Sequence, residues 1–306
     1  MGSLAAHRLL TAAVVLLGVS SITFFLIHLV PGDPIEVMLG EAASIADRQQ
    51  LRTDLGLDVP LAQQWLQFHK DLLTLDFGES LYSKKPIAAT LLERIPWTLI
   101  LALASMSVAI LIAVPLGVLA ALHPNTIWDS AAATVSLLGV SIPNFLLGPL
   151  LIIVFSVGLG WFPVSGTERI TSIVLPALTL GASLAAILSR MVRASLLEVL
   201  SEEYIVSARA RGLGAVPIVL YHAIPNAALP ILTILGLQLG ALLGGAVITE
   251  MIFAWPGVGQ LTIEAIQRRD YPLVQACVIV ISFAYVVVNT ITDLIYACVD
   301  PRIEGG

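Results

Sequence analysis

Residues 9–30, LLTAAVVLLGVSSITFFLIHLV, run without a charged side chain between Arg8 and Asp33. A helix crossing the hydrocarbon core of a bilayer needs about 20 consecutive apolar residues, so Leu9–Val30 reads as a membrane span. A signal peptide would show a shorter apolar region, usually about 7–15 residues, followed by a small-residue cleavage site. This stretch is longer and ends in Pro31-Gly32-Asp33-Pro34. Five similar runs follow: Pro96–Leu122, Ser130–Val157, Ile173–Met191, Pro225–Ile252 and Leu273–Val299. Six crossings would put both termini on one side.

Composition points the same way. Of 306 residues, 58% are hydrophobic and 12% charged, and mean hydropathy is +0.94. A soluble domain is about 45–50% apolar and about 25% charged, so lipid must cover much of this surface. The net charge of −6 and the lack of a basic stretch with interleaved aromatics exclude nucleic acid as an expected partner. Cys277 and Cys298 fall in the same run. On one helix they would be about 30 Å apart, too far to pair.

The connections are uneven. Asp33–Glu93 is long and holds two amphipathic pieces, Ile45–Leu55 and Leu61–Leu75, separated by Gly56-Leu57-Asp58-Val59-Pro60. Val192–His222 is the other substantial loop, with helical character up to Arg211. Pro115, Pro143, Pro149 and Pro230 fall inside spans; membrane helices tolerate this where neighbours satisfy the freed carbonyls. Orientation is not decided by charge. Arg8, Arg190, Arg193, Arg209, Arg211 and Arg302 lie on the face of the termini, and Lys84, Lys85, Arg94, Arg268 and Arg269 on the other. Several of the latter sit in the long loop, where the positive-inside rule is weak.

Enzyme motifs are missing. A P-loop needs Gly-Lys-Ser/Thr so that backbone amides and a lysine hold phosphates, and none of Lys70, Lys84 and Lys85 follows a glycine. The five histidines are scattered without metal-ligand spacing, and no serine sits in a G-x-S-x-G turn. No catalytic residue, cofactor or metal site is therefore expected. Polar side chains inside the spans, Asn144, Gln238, Glu250 and Asp293, are candidates for a translocation path. An acid at a span centre costs roughly 2.5–3.5 kcal/mol on insertion scales, so each needs a partner or water. Glu250 and Asp293 fit interhelical bonding, a solute path, or proton relay in a secondary transporter.

The segment Arg190–Pro230 narrows these possibilities. It contains Glu203-Tyr204-Ile-Val-Ser-Ala208-Arg209-Ala210-Arg211-Gly212, then His222-Ala-Ile224-Pro225-Asn226-Ala227-Ala-Leu-Pro230. This resembles the E-A-A…G…I-x-L-P signature loop of binding-protein-dependent ABC importer permeases. Val206 and Ser207 depart from the general pattern. Glu203-Tyr204…Ala208-Arg209-Ala210-x-Gly212 is similar to the branch importing dipeptides, oligopeptides, nickel and glutathione. Further segments resemble the first of that branch's two permease types: Pro31–Pro34, Leu55–Leu61, Asp76-Phe77-Gly78-Glu79-Ser80, Ser141–Phe145, Leu159–Pro163, Trp255–Gly259, Arg269–Pro272 and Asp300-Pro301-Arg302.

The resemblance implies an all-α integral membrane permease domain over residues 1–306, with six transmembrane helices of the type I ABC importer kind. An extracytoplasmic segment (31–95) and a cytoplasmic coupling loop (192–222) go with it, as do cytoplasmic termini in the inner membrane of a prokaryote. Implied partners are a second homologous permease subunit, two ATPase subunits carrying ATP and magnesium, an extracytoplasmic substrate-binding protein, and membrane lipid. Glu203, Tyr204, Ala208, Arg209, Ala210, Arg211 and Gly212 are then the ATPase-coupling residues. Ala208 and Ala210 are small enough for a partner to approach, and Gly212 is suited to end the helix at positive φ. The cargo would be a dipeptide or oligopeptide, with glutathione and nickel chelates as alternatives within the group.

Overall fold

The computed structural model describes the backbone of residues 2–29, 35, 39, 44–54 and 58–299. Pro31–Pro34, the Leu55-Gly56-Leu57 part of the second motif, and Asp300-Pro301-Arg302 lie outside the described residues. Among those described the chain is helical: α1 Gly2–Leu29, α2 Ile45–Asp54, α3 Leu61–Leu73, α4 Ile87–Leu122, α5 Ile127–Ser141, α6 Asn144–Leu151, α7 Val174–Leu200, α8 Glu203–Ala210, α9 Ile224–Gly245, α10 Val247–Ile252, α11 Val258–Gln267 and α12 Tyr271–Val299. Wide π-type turns extend α6 over Ile152–Gly158 and lead into α9 over Ile218–Ala223. Two compact units are formed. One holds Thr98–Trp255 and the last part of α12 from Val287; the other holds the described residues of Gly2–Trp97 and Pro256–Val286.

Four helical stretches are long and apolar enough to cross a membrane: Ile87–Leu122, Ile170–Leu200, Ala215–Gly244 and Tyr271–Thr292. The third expected span, Ser130–Val157, is not one straight helix. It is α5 and α6, bent by 101°. Pro143 has no N–H to continue the ladder and holds the preceding residue out of the helical region; Ile142 is extended, with φ −89° and ψ 112°. Counting the bent pair once gives five crossings among the described residues. The first expected span is helical throughout Gly2–Leu29, and its described apolar stretch is Leu10–Phe25.

Two other boundaries move. The fourth span does not stop at Met191, because α7 continues to Leu200. Helix resumes at Ala215, so the 192–222 loop shrinks to a short connection around α8. The fifth span ends at Gly245, and Val247–Ile252 is a separate short helix. The amphipathic pieces of the first long connection are α2 and α3, as their pattern suggests.

In the first unit, the core around α4, α7 and α9 is built largely from alanine: Ala109, Ala113, Ala121, Ala185, Ala223 and Ala227 surround Leu188, Val192 and Leu196. Apolar side chains gain little by leaving lipid for protein, so close van der Waals packing of small residues holds such helices together. Gly181 shows how close they come. A Cβ there would lie 2.8 Å from the Ser105 carbonyl oxygen and 2.7 Å from Val108 Cγ1.

The second unit packs Ile87 and Leu91 against Val258, Leu261, Ala265, Leu273, Ala276 and Cys277. α3 docks on α1 through Trp65 Nε1, which donates to Ser21 Oγ at 3.1 Å, and through His69 Nε2, 3.0 Å from Ser20 Oγ. Asp270 is buried and closes the turn after α3. Its carboxylate accepts from Ser80 Oγ at 2.5 Å and from the Leu81 N–H at 3.2 Å.

Candidate functional site

α8 is a two-turn helix set between the long helices α7 and α9. Its inward residues are Ile205 and Ala208, three apart and thus on one face. Both are fully buried, clustered with Ile218 and flanked by Leu200 and Leu213. The helix ends in a Schellman motif. The Leu213 N–H donates to the Ala208 carbonyl at 3.3 Å, and the Gly212 N–H to the Arg209 carbonyl at 2.9 Å. Gly212 has φ +84°, a region where side chains with a Cβ are strained. Leu213 completes the motif by packing against the same cluster as Ala208.

The other signature residues form the outer surface. Glu203, Tyr204, Arg209, Ala210, Arg211 and Gly212 are exposed, as are Val206 and Ser207, where the sequence departs from the general pattern. Ala208 is placed differently from its reading as part of a face offered to a partner. Its small side chain lets Ile218 and Leu213 close over it from within the chain. Partial desolvation by its neighbours pushes the Tyr204 phenol above its usual range although the residue is exposed, and the nearby Glu202 carboxylate adds to that. Arg209 and Arg211 lie at the negative end of the helix dipole, where a cation contributes about 0.3–1 kcal/mol. The arrangement presents a short, rigid, charged helix anchored by three apolar side chains.

All four intramembrane candidates lie in the first unit; Asn144, Gln238 and Glu250 sit on α6, α9 and α10, and all three of these elements pack against α7. Glu250 is 0% exposed, and its Oε1 accepts from Thr98 Oγ1 at 2.9 Å. Its backbone carbonyl accepts the Trp255 N–H at 2.8 Å, which forms the turn after α10. Gln238 is 7% exposed. Its Nε2 donates to the Leu184 carbonyl at 3.2 Å, while its Oε1 makes no hydrogen bond among the described residues. Asn144 Oδ1, at the start of α6, and Thr249 Oγ1 are also buried without a hydrogen bond among the described residues. The Asp293 side chain lies outside the described residues. Among the described residues no three His, Cys, Asp or Glu side chains gather as a metal site.

The sequence reading passed over Asp129 and Arg193 as a pair. Arg193 Nε meets Asp129 Oδ1 at 2.6 Å and Nη2 meets Oδ2 at 2.7 Å. Each sits at the edge of an expected span, where an isolated charge asks for a partner. Their separation of 64 residues left no local signal of which partner. Lys84 and Lys85 lie on the surface. They are held in a turn in which the Ser80 N–H donates to the Lys85 carbonyl at 2.9 Å and the Lys84 N–H to the Ser80 carbonyl at 3.0 Å.

Comparison with known proteins gives a consistent picture. Residues 113–305 match the family described as "Binding-protein-dependent transport system inner membrane component". Residues 1–102 match its N-terminal companion, "Binding-prot-dependent transport system membrane comp, N-term". The glutathione transport system permease protein GsiC of Escherichia coli (strain K12) is 40% identical over 297 residues, covering 97% of each chain. The protein of the same name from Pectobacterium atrosepticum is also 40% identical over 297 residues, again 97% of each. Among solved structures, a chain of the inward-facing MetNI methionine ABC transporter aligns with TM-score 0.60 at 20% identity. That alignment covers 69% of this chain and 96% of that one. The apolar helices, the capped helix between two of them and these matches together make the chain a member of the binding-protein-dependent transport system inner membrane component family.

Proposed function

We propose that this chain is the membrane-spanning permease subunit of an ATP-driven importer of small peptides. The observation that carries this reading is α8: a short surface helix, closed by Gly212 at positive φ, anchored by Ile205 and Ala208, and charged on its outer face. In this role α8 docks on a separate ATPase subunit, which carries ATP and magnesium; this chain carries neither catalytic residue nor cofactor. A second homologous permease completes the pathway, with one ATPase subunit per permease, and an extracytoplasmic binding protein delivers the cargo. The chain then lies in the cytoplasmic membrane of a prokaryote with both termini in the cytoplasm.

Dipeptides and oligopeptides are the cargo class. Glutathione, a tripeptide and the substrate named for the 40%-identical relatives, falls within it. The unmet acceptors of Asn144 and Gln238 suit a path in which water or a solute N–H completes their bonding, since an unsatisfied buried acceptor costs about 1–3 kcal/mol. The test is purification of the detergent-solubilised chain from its native membrane. Co-purifying ATPase subunits, with hydrolysis stimulated by peptide-loaded binding protein, are the expected result. A chain that purifies alone and drives uptake from a proton gradient would overturn the reading in favour of a secondary transporter.

A further inference from the structure

Asp129 and Arg193 tie the first turn of α5 to α7. Besides the two guanidinium bonds, Asp129 Oδ2 accepts the Asn125 N–H at 3.0 Å, so one carboxylate joins the α4–α5 turn, α5 and α7. Further along the same two helices, the Ser136 and Ser189 hydroxyls lie 2.8 Å apart. At Gly139 a Cβ would come within 2.9 Å of Ala186 Cβ. The order of these contacts makes α5 and α7 antiparallel and joined at three successive levels. On the side facing α4, a cavity of about 430 Å³ opens beside the pair, lined by Leu116, Ala120, Asn125, Ser130, Ala133 and Arg190. The link from α5 at this end is therefore made to α7 more than to α4.

The two ends of this assembly matter. Beyond Arg193, α7 runs on to Leu200, which packs against the cluster under α8. Beyond Gly139, α5 stops at Ser141 and the chain turns by 101° into α6. α6 packs on α10, where a Cβ at Gly148 would lie 3.3 Å from Ile252 Cγ2. α10 carries Glu250. Asp129 is buried while the Arg193 side chain is 34% exposed, and a partly exposed ion pair adds little stability. What a bidentate guanidinium–carboxylate pair supplies is a fixed distance and angle.

We propose that Asp129–Arg193 is the pin that makes α5 move with α7 when α8 is displaced, so that the motion arrives at the bend between Ser141 and Asn144. Both are positioning residues; neither needs to touch cargo. The proposal rests on the reading of α8 as the ATPase-coupling helix.

The test measures uptake and ATP hydrolysis together in the intact complex, reconstituted in vesicles with its binding protein. Arg193→Gln is expected to lower uptake per ATP hydrolysed about tenfold, within the range seen for residues along coupling networks. Stimulated hydrolysis should stay within about twofold of wild type in the same vesicles. Arg193→Lys keeps the charge but loses the fork, and falls between. Asp129→Asn combined with Arg193→Gln is no worse than either single change, the signature of one shared interaction. Unchanged uptake per ATP in Arg193→Gln, or a double variant showing the sum of both losses, overturns the proposal. Should Arg193→Gln fail to assemble, uptake per ATP in Arg193→Lys decides, with a wild-type ratio refuting the pin. Failure of the coupling-helix reading is seen separately, as wild-type stimulated hydrolysis when Gly212 is replaced by valine.

Discussion

Replacing Gly212 isolates the helix cap from everything else in the loop. A Cβ built at Gly212 meets no atom within 4 Å, so substitution there causes no clash. The cost is backbone strain alone, set by φ +84°. An L-residue in the left-handed region loses roughly 1–2 kcal/mol, a β-branched one loses more, and asparagine is tolerated best. Relief of that strain would require breaking the Leu213 and Gly212 hydrogen bonds to Ala208 and Arg209, which frays the last turn carrying Arg209 and Ala210. One to two kcal/mol corresponds to about a 5- to 30-fold change in an equilibrium. Peptide-stimulated ATP hydrolysis should therefore fall in the order Gly, Asn, Ala, Val, with Val lowered by at least about fivefold. The amount of chain in the membrane should stay similar, because neither Ile205 nor Ala208 is disturbed. The assay is stimulated hydrolysis by purified complex, normalised to the permease present. Wild-type stimulation in Gly212→Val would refute the cap argument, and so would an equal loss in Asn, Ala and Val.

Glu250→Gln keeps an acceptor for Thr98 Oγ1 and should retain assembly and much of the uptake. Glu250→Leu removes that acceptor and puts an apolar side chain in a buried polar position, and should lower the thermal stability of the complex; equal melting of both variants would count against a structural role. Asp293→Asn should likewise preserve most uptake, since an amide still hydrogen-bonds, and complete loss in a normally assembled complex would move Asp293 into the transport path. Reversing both exposed cations, Lys84→Glu with Lys85→Glu, should slow association of the binding protein, most at low ionic strength where rim charges act on encounter, and leave basal hydrolysis unchanged. An unaltered association rate at low salt would make these lysines solvated surface.

Much of this protein is legible without its structure, because lipid and local backbone chemistry act on short stretches of chain. Charge-free runs marked the apolar helices, since every backbone polar group in hydrocarbon must be paired within the segment. The glycine after Ala208-Arg209-Ala210-Arg211 marked the end of α8, since a C′ position at positive φ favours that residue. The period of Leu61–Leu75 marked an amphipathic helix. Pro143 shows the limit of local reading. A proline inside a membrane span is tolerated in many helices, and the 101° turn here belongs to a chain in which α6 also packs on α10. Tertiary structure alone decided that Ala208 faces inward, that Thr98 meets Glu250 across 152 residues, that Ser80 meets Asp270 across 190, and that Asp129 holds Arg193. Composition and periodicity are properties of neighbouring residues. The partner of a buried charge is chosen by which helices lie side by side, and only the folded chain brings them there.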